Sequence, residues 1–236
     1  MLNVGLMNQP LKVVSLGIGS KDGHIMSPAA AQLHREGFAF DLRCFDGTEL
    51  DEDVLKWSSF LKEMQQADFS IIRAHGDVTY FRRWDELKSA LQAASGKALL
   101  ICSEPEVTDE FRGLFRGSDG DFCTLRRLAE IGGDANQKAI LLWVLKNCGG
   151  LDVEVPPPEQ PLTEGVYYEG GRGVPLAEGL RELSAGPGPL ILILFHQKFW
   201  LTHNAQAIDE LIRDVKAQGG RPLTLFLVSS ENPLIG

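Results

Sequence analysis

The chain has 236 residues, with 23 Lys and Arg against 32 Asp and Glu, a formal net charge of −9. Hydrophobic residues are 44% and charged residues 23%, which supports a packed core and excludes a chain disordered throughout, a collagen repeat or a coiled coil. The acidic balance argues against a nucleic-acid partner, which needs a basic face, and no apolar run approaches the roughly 18 residues of a membrane span.

In chain order, Lys12–Gly19 is a short apolar run ending in glycine and reads as a buried parallel strand. Ser27 before Pro28 reads as an N-cap followed by proline at the first helical position, and Gly37 ends that helix. Phe38–Phe45 reads as the second strand. Asp51 reads as the cap of a helix with Val54, Trp57, Phe60, Leu61 and Met64 on one face. Phe69–His75 is the third strand, Trp84–Ala94 a helix and Lys97–Ser103 the fourth strand. This alternation predicts a parallel sheet with helices on both faces. The expected strand order is flavodoxin-like, 2-1-3-4, which makes the gap between strands one and three the switch point.

After Glu104 the strand rhythm stops. Asp121–Ile131 and Ala135–Asn147 read as two helices joined at Gly132-Gly133-Asp134, with Asp134 as the second N-cap. Val155–Pro161 holds three successive prolines, and glycine-rich sequence follows to Pro189, so this stretch reads as a linker or surface arm. Leu190–Phe195 is again a strand, His196–His203 a loop, and Asn204 the cap of a helix with Ile208, Leu211, Ile212 and Val215 on one stripe. Pro222–Val228 is the returning strand. The fold class expected is therefore α/β: a flavodoxin-like parallel sheet flanked by helices, followed by the start of a second α/β domain. Residues 1–148 form the first domain with a helical extension, 149–188 the arm, and 189–236 the second domain. One βαβ unit cannot cover both faces of two such apolar strands. Either they join the first sheet or the natural protein continues, and continuation is the expectation.

Ligands of an open parallel sheet sit beyond the carboxyl ends of its strands. His24 and His75 fall at such ends, and His196 and His203 flank the loop after the fifth strand. Arg73 to Trp84 adds Gly76, Tyr80, Phe81, Arg82 and Arg83, and Phe195 to Trp200 repeats the mixture of histidine, cation and aromatics. Guanidinium groups beside aromatic faces suit a large flat anion, and the same aromatics equally serve to cap a sheet edge. The candidate ligand-binding residues are His24, Arg73, His75, Gly76, Tyr80, Arg82, His196, Trp200 and Asn204, with Arg73 or Arg82 as the charge partner. No catalytic residue and no metal set is assigned: no histidine pair has H-x-x-x-H spacing, and P-loop, dinucleotide and G-x-S-x-G motifs are absent. The N-terminal stretch shows no basic segment followed by an apolar one, and the four cysteines lack C-x-x-C spacing. Both point to a cytoplasmic protein with reduced thiols.

Four stretches carry a resemblance. They are Leu192–Ile212 running on to Pro222–Ser230, Phe69–Gly76 with Tyr80-Phe81 after it, Gly132-Gly133-Asp134-Ala135-Asn136, and Gly165-Val166-Tyr167-Tyr168. In order and spacing they resemble the cobaltochelatase large-subunit family, which includes the magnesium chelatase H-type subunit. His196-Gln-Lys stands where the family more usually has Tyr-Arg-Ser or Tyr-Arg-Ala. The resemblance implies the N-terminal part of a very large subunit that binds a tetrapyrrole and the metal to be inserted, cobalt in aerobic cobalamin synthesis. A magnesium chelatase acting on protoporphyrin IX is the alternative. It further implies AAA+ motor and adaptor subunits as partners, and ATP, magnesium and cobalt in the whole complex, with no cofactor in this stretch. Asp22-Gly-His24 resembles, separately, the Asp-x-His opening of cobalamin-binding domains, where the histidine ligates cobalt and the aspartate orients its ring.

Overall fold

The structure is a computed structural model and describes residues 10–19, 22–183 and 186–228, leaving out the Asp22 side chain. The chain divides into two compact units, residues 1–159 and 160–236.

The first unit holds β1 (Leu11–Ile18), α1 (Ser27–Arg35), β2 (Phe40–Asp46), α2 (Gly47–Glu52), α3 (Val54–Gln65), β3 (Phe69–Ala74), α4 (Trp84–Ala93) and β4 (Lys97–Cys102). Three helices follow: α5 (Pro105–Glu110), α6 (Asp119–Ile131) and α7 (Asp134–Asn147). The sheet is parallel with order β2-β1-β3-β4, the order expected from the βα rhythm. Strand side chains alternate between two apolar layers. Leu11, Val13, Phe69, Ile71, Leu99 and Ile101 pack with α1, α6 and α7. Val14, Leu16, Ile72, Leu100 and Cys102 pack with Trp57, Phe60 and Met64 of α3 and Leu87 and Leu91 of α4. Both faces are covered, so β1, β3 and β4 are mostly apolar, whereas the edge strand β2 carries Asp41, Arg43 and Asp46.

The helix starts differ from the sequence reading in instructive ways. Ser27 does not cap α1; its hydroxyl lies 3.6 Å from the Cys44 thiol. The helix expected behind Asp51 is two helices. Asp46 accepts from Thr48 N at 2.8 Å, Asp53 accepts from Leu55 N at 2.8 Å, and Asp51 instead accepts from Arg82 N at 3.1 Å. With several aspartates in a row, only the backbone path decides which one meets the free amides.

Helix α6 begins at Ser118, whose hydroxyl accepts from Asp121 N at 3.1 Å and donates to the Asp121 carboxylate at 2.5 Å. Trp143 Nε1 of α7 donates to the same carboxylate at 2.9 Å. These donors, Ser118 first, hold the Asp121 pKa below its ordinary 3.8. Stabilisation from this cap is therefore complete above that ordinary value and is lost as pH falls through the lower folded value. Asp121→Asn should flatten the acid limb of stability measured by urea unfolding between neutral pH and the acid transition.

Helix α7 is apolar nearly all round and buried as such, from Asn136 to Leu145. Asn136 explains the glycine-glycine-x-x-asparagine junction. Its Nδ2 donates to Gly132 O and to Glu159 O, both at 2.7 Å, and its Oδ1 accepts from Glu159 N at 2.9 Å. The extended stretch 151–159 is thereby fastened to α7, with Leu151, Val153 and Val155 packed on the first apolar layer. The proline segment is thus part of the first unit, not a free linker.

The rest of the expected arm is also structured. In the second unit β5 (Glu164–Tyr168) and β6 (Arg172–Val174) form an antiparallel hairpin, followed by α8 (Leu176–Glu182). Next come β7 (Leu190–His196), α9 (Gln197–Leu201), α10 (Gln206–Ala217) and β8 (Arg221–Leu227). The sheet order is β6-β5-β8-β7, with β7 and β8 parallel and β5 antiparallel to β8. The apolar strands thus make their own sheet rather than extending the first. Tyr167, Ile193, Phe195, Ile212 and Phe226 form its core. Leu190, Leu192 and Leu194 alternate with that core and remain exposed.

Candidate functional site

The neighbouring positions of β1 and β3 bring two loops to one end of the first sheet. His75 N donates to Ile18 O at 2.9 Å. Gly19 has φ 71°, and a Cβ there would lie 2.5 Å from His75 O, so only glycine lets the two turns cross this closely. The short turn Asp22–His24 lies on the strand ends as well: a Cβ on Gly23 would sit 2.0 Å from Phe45 O. Beyond β3, Gly76 N donates to Ser103 Oγ at 3.2 Å, tying the β3 and β4 loops together. The His24 turn and the His75-Gly76 turn therefore share one sheet end although 51 residues separate the histidines in sequence. Both imidazoles are exposed.

The remaining candidates of this end separate. Arg73 is 6% exposed. Its guanidinium donates to Ala129 O at 3.0 Å and to Gln137 Oε1 at 2.6 Å. It fastens α6 and α7 to β3, and the expectation of Arg73 as a charge partner for a ligand gives way to that role. Tyr80 is 85% exposed and stands out from the surface rather than forming a wall. Arg82 is exposed, and its backbone N donates to Asp51 Oδ2 at 3.1 Å. Of the two arginines, Arg82 is the one whose side chain faces solvent. The Asp22 side chain of the Asp-x-His pattern lies outside the described residues.

In the second unit His196 is a helix cap: its Nδ1 accepts from Lys198 N at 3.0 Å and opens α9. Asn204 does not cap α10, which starts after Ala205, and is exposed. Trp200 is fixed by its Nε1 donating to Gly171 O at 2.9 Å and by a ring contact with Phe226 at 4.5 Å. It forms one wall of a hollow of about 180 Å³ with Tyr167, Gly170, His203, Gln206 and Asp209. Tyr167 Oη donates to Asp209 Oδ1 at 2.8 Å. Burial first, and that carboxylate second, hold the phenol well above its ordinary value. The sequence reading missed this cluster because Tyr167 and Asp209 lie 42 residues apart. A second hollow of about 300 Å³ is lined by Tyr168, Glu182, Lys216 and Arg221. Its charges are paired: Lys216 with Glu169 at 2.8 Å, and Glu182 with Arg172.

Among the described residues no group of three or more His, Cys, Asp or Glu is placed to hold a metal ion. Burial raises the Cys44 and Cys148 thiols above their ordinary value, the opposite of an activated nucleophile. No described helix is long and apolar enough to cross a membrane.

The chain is thus an α/β protein of two units, and loops at the strand ends form the candidate site. Residues 126–234 match the family described as CobN/Magnesium Chelatase. An uncharacterized protein of Methanocaldococcus jannaschii is 28% identical over 103 residues, covering 42% of this chain and 8% of that one. The solved catalytic subunit of cobaltochelatase from Mycobacterium tuberculosis shares the fold over 96% of this chain and 17% of its own, with a TM-score of 0.61 and 20% identity. The chain thus spans a small fraction of both relatives. It resembles the large-subunit region of cobaltochelatase and magnesium chelatase. Three of the four motif stretches, from Gly132 onward, fall in the matched region, and the Arg73–Gly76 segment precedes it.

Proposed function

We propose that this chain is a region of the tetrapyrrole-binding large subunit of an ATP-dependent metallochelatase, of the cobalt-inserting type used in cobalamin biosynthesis. The observation that carries the reading is the family match over residues 126–234, together with a fold shared with a cobaltochelatase catalytic subunit over nearly the whole chain. The substrate is a metal-free corrinoid, and cobalt is the metal inserted. ATP and magnesium belong to AAA+ motor and adaptor subunits, since this sequence has no P-loop. The four cysteines are unpaired, which is consistent with a cytoplasmic setting. At the first sheet end, His24, His75, Gly76 and Arg82 are the residues offered to ligand, with Arg82 supplying charge for a carboxylate edge.

The test is a fluorescence titration of the purified chain with a metal-free corrinoid and with protoporphyrin IX. Saturable quenching by the corrinoid, weakened in Arg82→Ala and His75→Ala with stability unchanged, is the expected result. Preference for protoporphyrin IX would shift the reading to a magnesium chelatase. A histidine-ligation shift of hydroxocobalamin, lost in His24→Ala, would replace it with a cobalamin-binding module. The chain alone should insert no metal and hydrolyse no ATP, and turnover without added subunits would overturn the proposal.

A further inference from the structure

The hollow beside Trp200 has a character of its own. Its polar groups are the Asp209 carboxylate, the His203 imidazole, the Tyr167 hydroxyl and the Gln206 amide, and no lysine or arginine lines it. Asp209 Oδ1 is held by Tyr167 Oη at 2.8 Å and by Gly170 N at 3.2 Å, which aims the carboxylate without neutralising it. Among the described residues no cation pairs with it. The nearest basic neighbour in sequence, Arg213, donates to the Asp209 backbone carbonyl and pairs with Glu169 instead. Asp209 also lies in the first turn of α10.

A second observation concerns the backbone. His203 has φ 55°, one of two non-glycine residues with positive φ among those described. It follows α9, where His203 N donates to Trp200 O at 3.1 Å and Asn204 N to Phe199 O at 2.8 Å. That is the helix-ending turn whose left-handed residue is ordinarily glycine. A histidine there costs stability that glycine would not, and such residues gather at binding sites. Here the costly residue lines the hollow.

We propose that this hollow is a binding site for one organic cation, an alkylammonium or guanidinium group. Asp209 supplies the counter-charge, and Trp200 a rigid aromatic wall that attracts cations. A free amine and a lysine or arginine side chain of a partner protein offer the same chemistry. The site goes beyond the chelatase reading and stands or falls separately from it, because its probes contain no tetrapyrrole.

The test is a nitrogen-15 NMR titration of the full chain with n-butylammonium and n-butylguanidinium, and with n-butyrate as the anionic control. Saturable shifts of the Gly170 amide and the Trp200 indole N–H with either cation, absent with butyrate, are expected. Asp209→Asn keeps an acceptor for Tyr167 and should weaken binding by about tenfold or more through the lost charge. His203→Gly should melt no lower than the parent, because glycine takes the left-handed conformation without cost. Tighter binding of an acetylated arginine tripeptide amide than of butylguanidinium identifies a partner side chain as the source, and the reverse identifies a free amine. No saturable shift with either cation, or shifts unchanged in Asp209→Asn, would overturn the proposal.

Discussion

Replacing Arg73 with methionine is expected to lower stability by about 3 kcal/mol, a large share of the roughly 5–15 kcal/mol that holds a domain folded. The guanidinium is buried and meets Ala129 O and Gln137 Oε1. Ala129 lies in the last turn of α6, where carbonyls have no partner within the helix. Methionine fills the volume but leaves that carbonyl and the Gln137 amide oxygen without these donors in a dry interior, and each such loss costs on the order of 1–3 kcal/mol. Arg73→Lys should recover part of the loss, since a single ammonium cannot reproduce the planar fork. Urea unfolding measures both. A methionine variant with unchanged midpoint and weakened tetrapyrrole binding would return Arg73 to the ligand and remove its structural role.

Asn136→Ala is the second large effect, expected at about 3 kcal/mol from three lost hydrogen bonds at a buried residue. Its consequence is spatially distinct. The bonds to Glu159 N and O are what hold the end of the 151–159 stretch against α7. The variant should therefore become cleavable within that stretch at protease concentrations that leave the parent intact, because the unfastened segment opens without global unfolding. Cleavage confined to other loops, or a stability loss below about 1 kcal/mol, would show that the packing of Leu151, Val153 and Val155 suffices alone.

The two variants also locate what could be read in advance. The strands of the first unit were legible because runs such as Lys97–Cys102 are apolar on both faces, a pattern that parallel sheets under two helical layers require. The hairpin β5–β6 was not legible. Its strands are five and three residues long, they follow three prolines, and β8, which pairs with β5, lies more than fifty residues downstream. Caps fell between these cases: Asp53 rather than Asp51 meets the amides of α3, and Asp134, read as the cap of α7, is its first helical residue behind Gly133.

Site residues follow the same division. That His24 and His75 stand at strand ends, and that β1 and β3 are neighbours, came from alternation, the rule of right-handed crossovers and strand order, all local or topological properties. Which charged side chain faces solvent is a different kind of fact. Arg73 and Arg82 are nine residues apart in one basic-aromatic stretch, and composition treats them alike. One points to the α6–α7 layer because position 73 shares the strand face of Phe69 and Ile71; the other stands on the loop beyond. The Tyr167–Asp209 bond and the left-handed His203 likewise arise only when the hairpin, α9 and α10 fold together. The amino-acid order by itself determined the periodicities, and with them the layers and the strand order of the first sheet. Tertiary structure alone decided which polar groups hold helices and which face solvent, because hydrogen-bond partners distant in sequence are chosen by the packed geometry.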